Sequence, residues 1–162
     1  MALKDNFTPE EWAQVVAAPM VAGIAVTAAD PRGLIGALKE SFAVAGAVQR
    51  AKGGDAAPLL HEIAAAYDSS EGRDKAKEVL KEQAKGKKPA EIVDSALAEL
   101  TAAAGIVAAK APDAAPAFRD WLKAIAGKVA EAGTEGGFLG FGGEKVSAAE
   151  KATLERIDTA LA

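Results

Sequence analysis

The sequence predicts an all-α fold, a single-domain bundle of six to seven helices over residues 1–162. Three observations carry this expectation. Half the residues are apolar, but most of these are alanine, the best intrinsic helix former, and aromatics make up only 5%. Helix start and stop signals recur along the chain. No run alternates apolar and polar residues as a half-buried strand would. The length suits one domain with one core. The arrangement expected is two pseudo-symmetric helical hairpins, a charged helix, and a C-terminal helix that follows a Gly/Phe-rich loop.

The elements follow in order. "TPEE" at 8–11 offers Thr8 as N-cap, Pro9 at the first helical position and Glu11 three residues after the cap. A helix to about Ala29 is expected, kinked or broken near Pro19. Asp30 and Pro31 start a second helix, which runs to about Lys52 and stops at "GGD", 53–55. Asp55 is expected to cap a short third helix through Tyr67. After "DSSEG", a charged helix runs from about Arg73 to Lys85 and ends at "GKKP", 86–89. Pro89 opens a fifth helix to about Lys110, and Asp113 caps a sixth to about Ala132. Ser147 with Glu150 forms a second capping box for a final helix over 147–161.

The candidate hairpins are residues 8–52 and 89–132, linked by an echo between "AGIAVTAADP" from Ala22 and "AGIVAAKAPD" from Ala104. Glycine inside a helix costs about 1 kcal/mol against alanine. Close approach of crossing helices would offset that cost, so Gly23, Gly46 and Gly105 are expected at helix crossings in the core.

Composition excludes several chemistries. A net charge of −4 is unsuited to a general nucleic-acid binder. The absence of cysteine removes disulfides, thiolate ligands and thiol nucleophiles. His61 is the single histidine. "HEIAA" at 61–65 has Ala65 where the zinc-protease signature needs its second histidine. One histidine also cannot supply a di-iron bundle site. The acid pairs Glu10/Glu11, Glu91/Asp94 and Asp68/Glu71 fall near helix ends, most of them in first turns where negative charge suits the helix dipole. No metal, cofactor or catalytic residue is therefore expected, and the protein reads as non-enzymatic. "MALKDNFTPEEW" has no apolar signal core, and a bacterial-type cytoplasm is the expected compartment. The longest uncharged run, Ala13 to Ala29, is seventeen residues and weakly hydrophobic, so it reads as a core helix without stable membrane insertion.

Two segments remain as interaction candidates. The loop 134–146 carries five glycines with Phe138, Leu139 and Phe141. It lacks the spacing of a phosphate loop, no strand precedes it, and Glu135 and Glu144 flank it. Burying three such side chains is worth roughly 1.5–3 kcal/mol each. They are expected to plug the end of the bundle, to enter a neighbouring subunit or another protein, or to form a lid or membrane-touching tip. Lys77, Lys81, Lys85 and Lys88 form a basic stripe on the charged helix, with Glu78 and Glu82 beside it. The function expected is a structural or interaction module that binds itself or another protein, through small-residue helix faces or the Gly/Phe loop. The alternative is a small bundle that holds an apolar ligand or lipid.

Overall fold

A computed structural model describes residues 2–29, 37–53, 55–134 and 146–162, with side chains throughout except at 37–43, 83, 133 and 134. Seven α-helices and no strand occur among the described residues. They are α1 (Pro9–Ala29), α2 (Ala37–Arg50), α3 (Pro58–Ala66), α4 (Ser70–Ala84), α5 (Pro89–Lys110), α6 (Ala115–Thr134) and α7 (Ala148–Ala160). Single 3-10 turns sit at Leu3–Asn6 and Pro112–Ala114. The expected start of α2 at Asp30 and Pro31 lies outside the described residues.

The two capping boxes are present. Thr8 Oγ1 accepts from the Glu11 amide at 3.1 Å, and Glu11 accepts from the Thr8 amide at 2.8 Å. Ser147 and Glu150 repeat this geometry at 3.1 and 2.8 Å. Phe7, just before the first cap, lies 5.6 Å from Trp12 between ring centroids, a hydrophobic staple across the first turn.

Three local expectations change. Asp55 does not cap α3: Ala57 holds that position with an extended backbone, and Pro58 is the first helical residue. A residue before proline is driven out of the helical region, which fixes the boundary there. α4 starts three residues before Arg73, because Ser69 Oγ accepts from the Gly72 amide at 2.9 Å and caps it. It ends where Gly86 turns at φ +68°, a left-handed conformation that glycine takes without strain. Asp113 sits inside the 3-10 turn, and α6 begins after it at Ala115. α1 continues through Pro19 as one helix. Proline leaves the Val15 carbonyl without its usual amide partner. On the same turn the Tyr67 hydroxyl donates to the Val16 carbonyl at 2.5 Å. Burial pushes that phenol well above its usual range.

α1 is the central element. It packs most extensively on α5, and also on α4, α6, α2 and α7. α2 packs mainly on α6. Like elements of the segments 8–52 and 89–132 thus lie together, α1 on α5 and α2 on α6. α1 and α5 run antiparallel: Lys110 Nζ at the end of α5 is 3.7 Å from Glu11 at the start of α1. Asn6 also donates to the Lys110 carbonyl at 3.3 Å.

The core is built from small aliphatics around a few large side chains. Val15, Val16, Ala17, Ala18, Val21, Ala22, Ala25 and Val26 of α1 are buried, and Phe118, Leu122 and Ile125 of α6 are fully enclosed. Alanine and valine let helix axes come close, and Gly23 marks the tightest point. A Cβ built on Gly23 would lie 2.8 Å from Val44 of α2 and 3.8 Å from Val129 of α6. Three helices meet there, as the sequence predicts for this glycine.

Candidate interaction surface

Gly105 behaves differently from Gly23. It is exposed, and among the described residues an added Cβ would meet nothing within 4 Å. The expectation of a core crossing at Gly105 is therefore corrected. Gly46 is half-buried, and its nearest atom is Arg50 of its own helix at 3.4 Å, so no crossing is seen there either.

The reason lies in how α5 divides its faces. Val93, Ala96, Leu97, Leu100, Ala103, Ala104 and Val107 are buried, at the three- and four-residue spacing of one helical face. Ala98, Ala102, Gly105 and Ala109 recur at the same spacing on the opposite face, and all four are exposed, with Thr101 beside them. The large aliphatics Val93, Leu97, Leu100 and Val107 face the bundle together with Ala96, Ala103 and Ala104, while the outer strip holds only alanine and glycine. Between Ala98 and Ala109 this outer strip spans roughly 16 Å and carries no charge. Charges flank it: Asp94, paired with Arg156 of α7 at 2.6 Å, and Lys110.

α1 and α5 are each long and apolar enough to cross a membrane, and they are packed on each other. They differ in cover. Of the most apolar 18-residue window, 56% is buried in α1 but only 39% in α5. α5 thus keeps a smooth apolar surface in the open.

The basic stripe is placed as its spacing implies. Lys77 and Lys81 are exposed on α4, Lys85 is exposed at its C-cap, and Lys88 is exposed at the N-cap of α5. Acids interrupt the stripe, with Asp74 3.7 Å from Lys77. The Gly/Phe loop, with Phe138, Leu139 and Phe141, lies outside the described residues.

Two open grooves flank α4. One, about 720 Å³, runs under the N-terminal turn and is lined by Phe7, Trp12, Ala65, Ser69, Gly72 and Lys75. Glu62 of α3 holds that turn, accepting from the Leu3 and Lys4 amides at 2.8 Å each. The second, about 570 Å³, lies between α1, α4 and α5 and is lined by Glu10, Gln14, Lys75, Glu78, Glu82 and Glu99. Lys75 bridges both grooves and pairs with Glu71 at 2.8 Å. That hydrogen bond lowers the Glu71 pKa and raises that of Lys75. His61 is half-buried on α3. Ser69 and Ser147 are helix caps, and Ser95 Oγ meets Lys87 Nζ at 2.9 Å. No group of three or more His, Asp or Glu placed to hold a metal ion occurs among the described residues.

Comparison with family models, with curated proteins and with solved structures finds no match to this chain. Its class therefore rests on its own geometry: an all-α bundle of seven described helices.

The outer face of α5 is the feature that sequence reasoning missed. The signal was present. Small residues at 98, 102, 105 and 109 are out of phase with the bulky aliphatics at 93, 97, 100 and 107. In a core helix the bulky set marks the inward side. Reading the glycine alone, without that phase, placed it in the wrong layer.

Proposed function

We propose that this protein is a non-enzymatic interaction module that self-associates through the outward face of α5. The observation that carries the reading is Gly105, a mid-helix glycine on an uncharged, exposed strip, whose Cβ position has no neighbour within 4 Å among the described residues. Its relative in the sequence echo, Gly23, supports the same use. There a missing Cβ lets Val44 of another helix come within 2.8 Å of the Cβ position. A second copy pressing a helix onto Gly105 would use the same physics. Small side chains lose almost no rotamer entropy on packing, so close helix contact costs little.

One helix face covers less than the roughly 800 Å² per partner typical of stable complexes. The association expected is accordingly weak and concentration-dependent, with Kd on the order of micromolar. The apolar-ligand alternative gains no support from the two grooves, since both are open and rimmed with charge.

Gly105→Ala separates the roles of this residue. In the monomer the substitution is expected to stabilise the fold by about 0.5–1 kcal/mol, from helix propensity alone. At a close contact the new methyl holds the helices apart, so self-association should weaken. Thermal unfolding of the dilute protein and light scattering across a concentration series read the two effects. A rise in stability with unchanged assembly would count against the α5 face.

A further inference from the structure

We infer that the turn Leu3–Asn6 is a strap that lifts as a whole about Phe7, with Glu62 of α3 as its catch, and that its lifting uncovers the aromatic groove between α1, α3 and α4. This device does not depend on the self-association reading, because the outer face of α5 takes no part in it.

The strap is held by polar contacts more than by packing. None of its residues is buried, and Leu3 alone rests half-buried against the core. An element with so little apolar contact sits at the low end of local stability. Its grip comes from Glu62, whose Oε1 accepts from the Leu3 amide and whose Oε2 accepts from the Lys4 amide, each at 2.8 Å. One carboxylate thus satisfies two successive amides, and bonds to an ionised acceptor are stronger than neutral ones. A third bond is longer, from Asn6 Nδ2 to the Lys110 carbonyl at 3.3 Å. Within the strap, the Asp5 amide donates to the Ala2 carbonyl and the Phe7 amide to the Lys4 carbonyl, at 3.1 Å each. A single turn of this kind does not persist once its tertiary hold is lost.

The chain that follows the strap is fixed. Phe7 is buried against Trp12, and Thr8 begins the capping box of α1. Phe7 is therefore the pivot. Ala2, Lys4 and Asp5 form one wall of the groove of about 720 Å³, and Trp12, Ala65 and Gly72 line the fixed side. Polar groups of that fixed side are already engaged: Thr8 and Ser69 cap helices, and Glu71 pairs with Lys75. Lifting the strap removes one wall, frees both oxygens of Glu62, and opens the groove over the Trp12 ring.

Two observables on the full chain test this: exchange of backbone amides, and acrylamide quenching of Trp12 in a Trp121→Phe background that leaves Trp12 as the sole tryptophan. The amide reporters are Asp5 and Phe7, whose acceptors lie within the strap and not on Glu62. Ile125 and Val129 of α6 are the reference for global opening. Glu62→Ala is expected to lower protection at Asp5 and Phe7 about tenfold and to raise the Trp12 quenching constant about twofold, with Ile125 and Val129 unchanged. Glu62→Gln keeps one acceptor oxygen and should fall between. In the parent, exchange at Asp5 and Phe7 should be nearly independent of low denaturant, because a local opening exposes little surface. Unchanged Asp5 and Phe7 protection in Glu62→Ala would overturn the catch, and unchanged Trp12 quenching would overturn the uncovering of the groove. A parent whose Asp5 and Phe7 amides follow denaturant as steeply as Ile125 and Val129 would overturn the separate lifting, whatever the stability of the variants.

Discussion

Replacing Gly72 with alanine is expected to destabilise the fold by about 3 kcal/mol, from overpacking together with loss of a helix cap. Gly72 lies in the first turn of α4, tight against the end of α3. A Cβ there would sit 2.2 Å from the Ala66 carbonyl oxygen, 2.9 Å from its carbon and 3.0 Å from Ser69 Oγ. The nearest of these atoms is backbone, so no rotamer change can make room. The turn from α3 to α4 must open. Doing so pulls the Gly72 amide from Ser69 Oγ, its acceptor at 2.9 Å. Chemical denaturation of parent and variant measures the difference. Ser69→Ala, which removes only the cap, is the companion and should cost about 1 kcal/mol. A Gly72→Ala variant as stable as the parent would mean that α3 and α4 are not joined as described.

Phe118→Ala should cost about 3–5 kcal/mol, the range for removing a large aromatic from a closed core. Phe118 is fully buried and is the largest of the enclosed side chains. The buried core as a whole is mostly alanine and valine, short side chains with little reach into a space of that size. Such a site collapses poorly, which places the loss toward the upper end. Against a typical domain stability of about 5–15 kcal/mol, this variant would be marginal at ordinary temperature. A calorimetric loss below about 1.5 kcal/mol, the cost of a mild hydrophobic swap, would contradict the enclosed position of α6.

Much of the fold is written in local signals. Thr8 with Glu11 and Ser147 with Glu150 place helix starts because both partners of each box lie within four residues of each other. Pro89 places the start of α5 because its fixed φ and missing amide suit a first helical position. Such features need no tertiary context. The misplaced boundaries share one cause, competition between neighbouring signals. At 55–58 the acidic cap candidate lost to the proline after it. At 69–73 a serine that resembles a turn residue proved to be the cap. At Asp113 a 3-10 turn separated the acidic residue from the helix that follows.

The candidate surface was less legible for a different reason. Gly23 and Gly105 have nearly the same local sequence, yet one lies where three helices meet and the other faces outward. What separates them is the partner that reaches each face, Val44 in one case and none among the described residues in the other. That is decided by how helices assemble around α1, and a residue's immediate neighbours do not encode it. The lysines of α4 were easier to place, because charge and spacing alone keep Lys77, Lys81 and Lys85 in solvent.

Sedimentation velocity over a wide concentration range, on the parent and on Ala102→Arg, tests the proposed role of α5 most directly. Ala102 is exposed in the single chain, so the arginine leaves the fold unchanged, which circular dichroism verifies. The parent is expected to shift toward a dimer as concentration rises, and Ala102→Arg to sediment as a monomer throughout. A parent that stays monomeric at every concentration, or a variant that assembles as the parent does, would contradict self-association through this face.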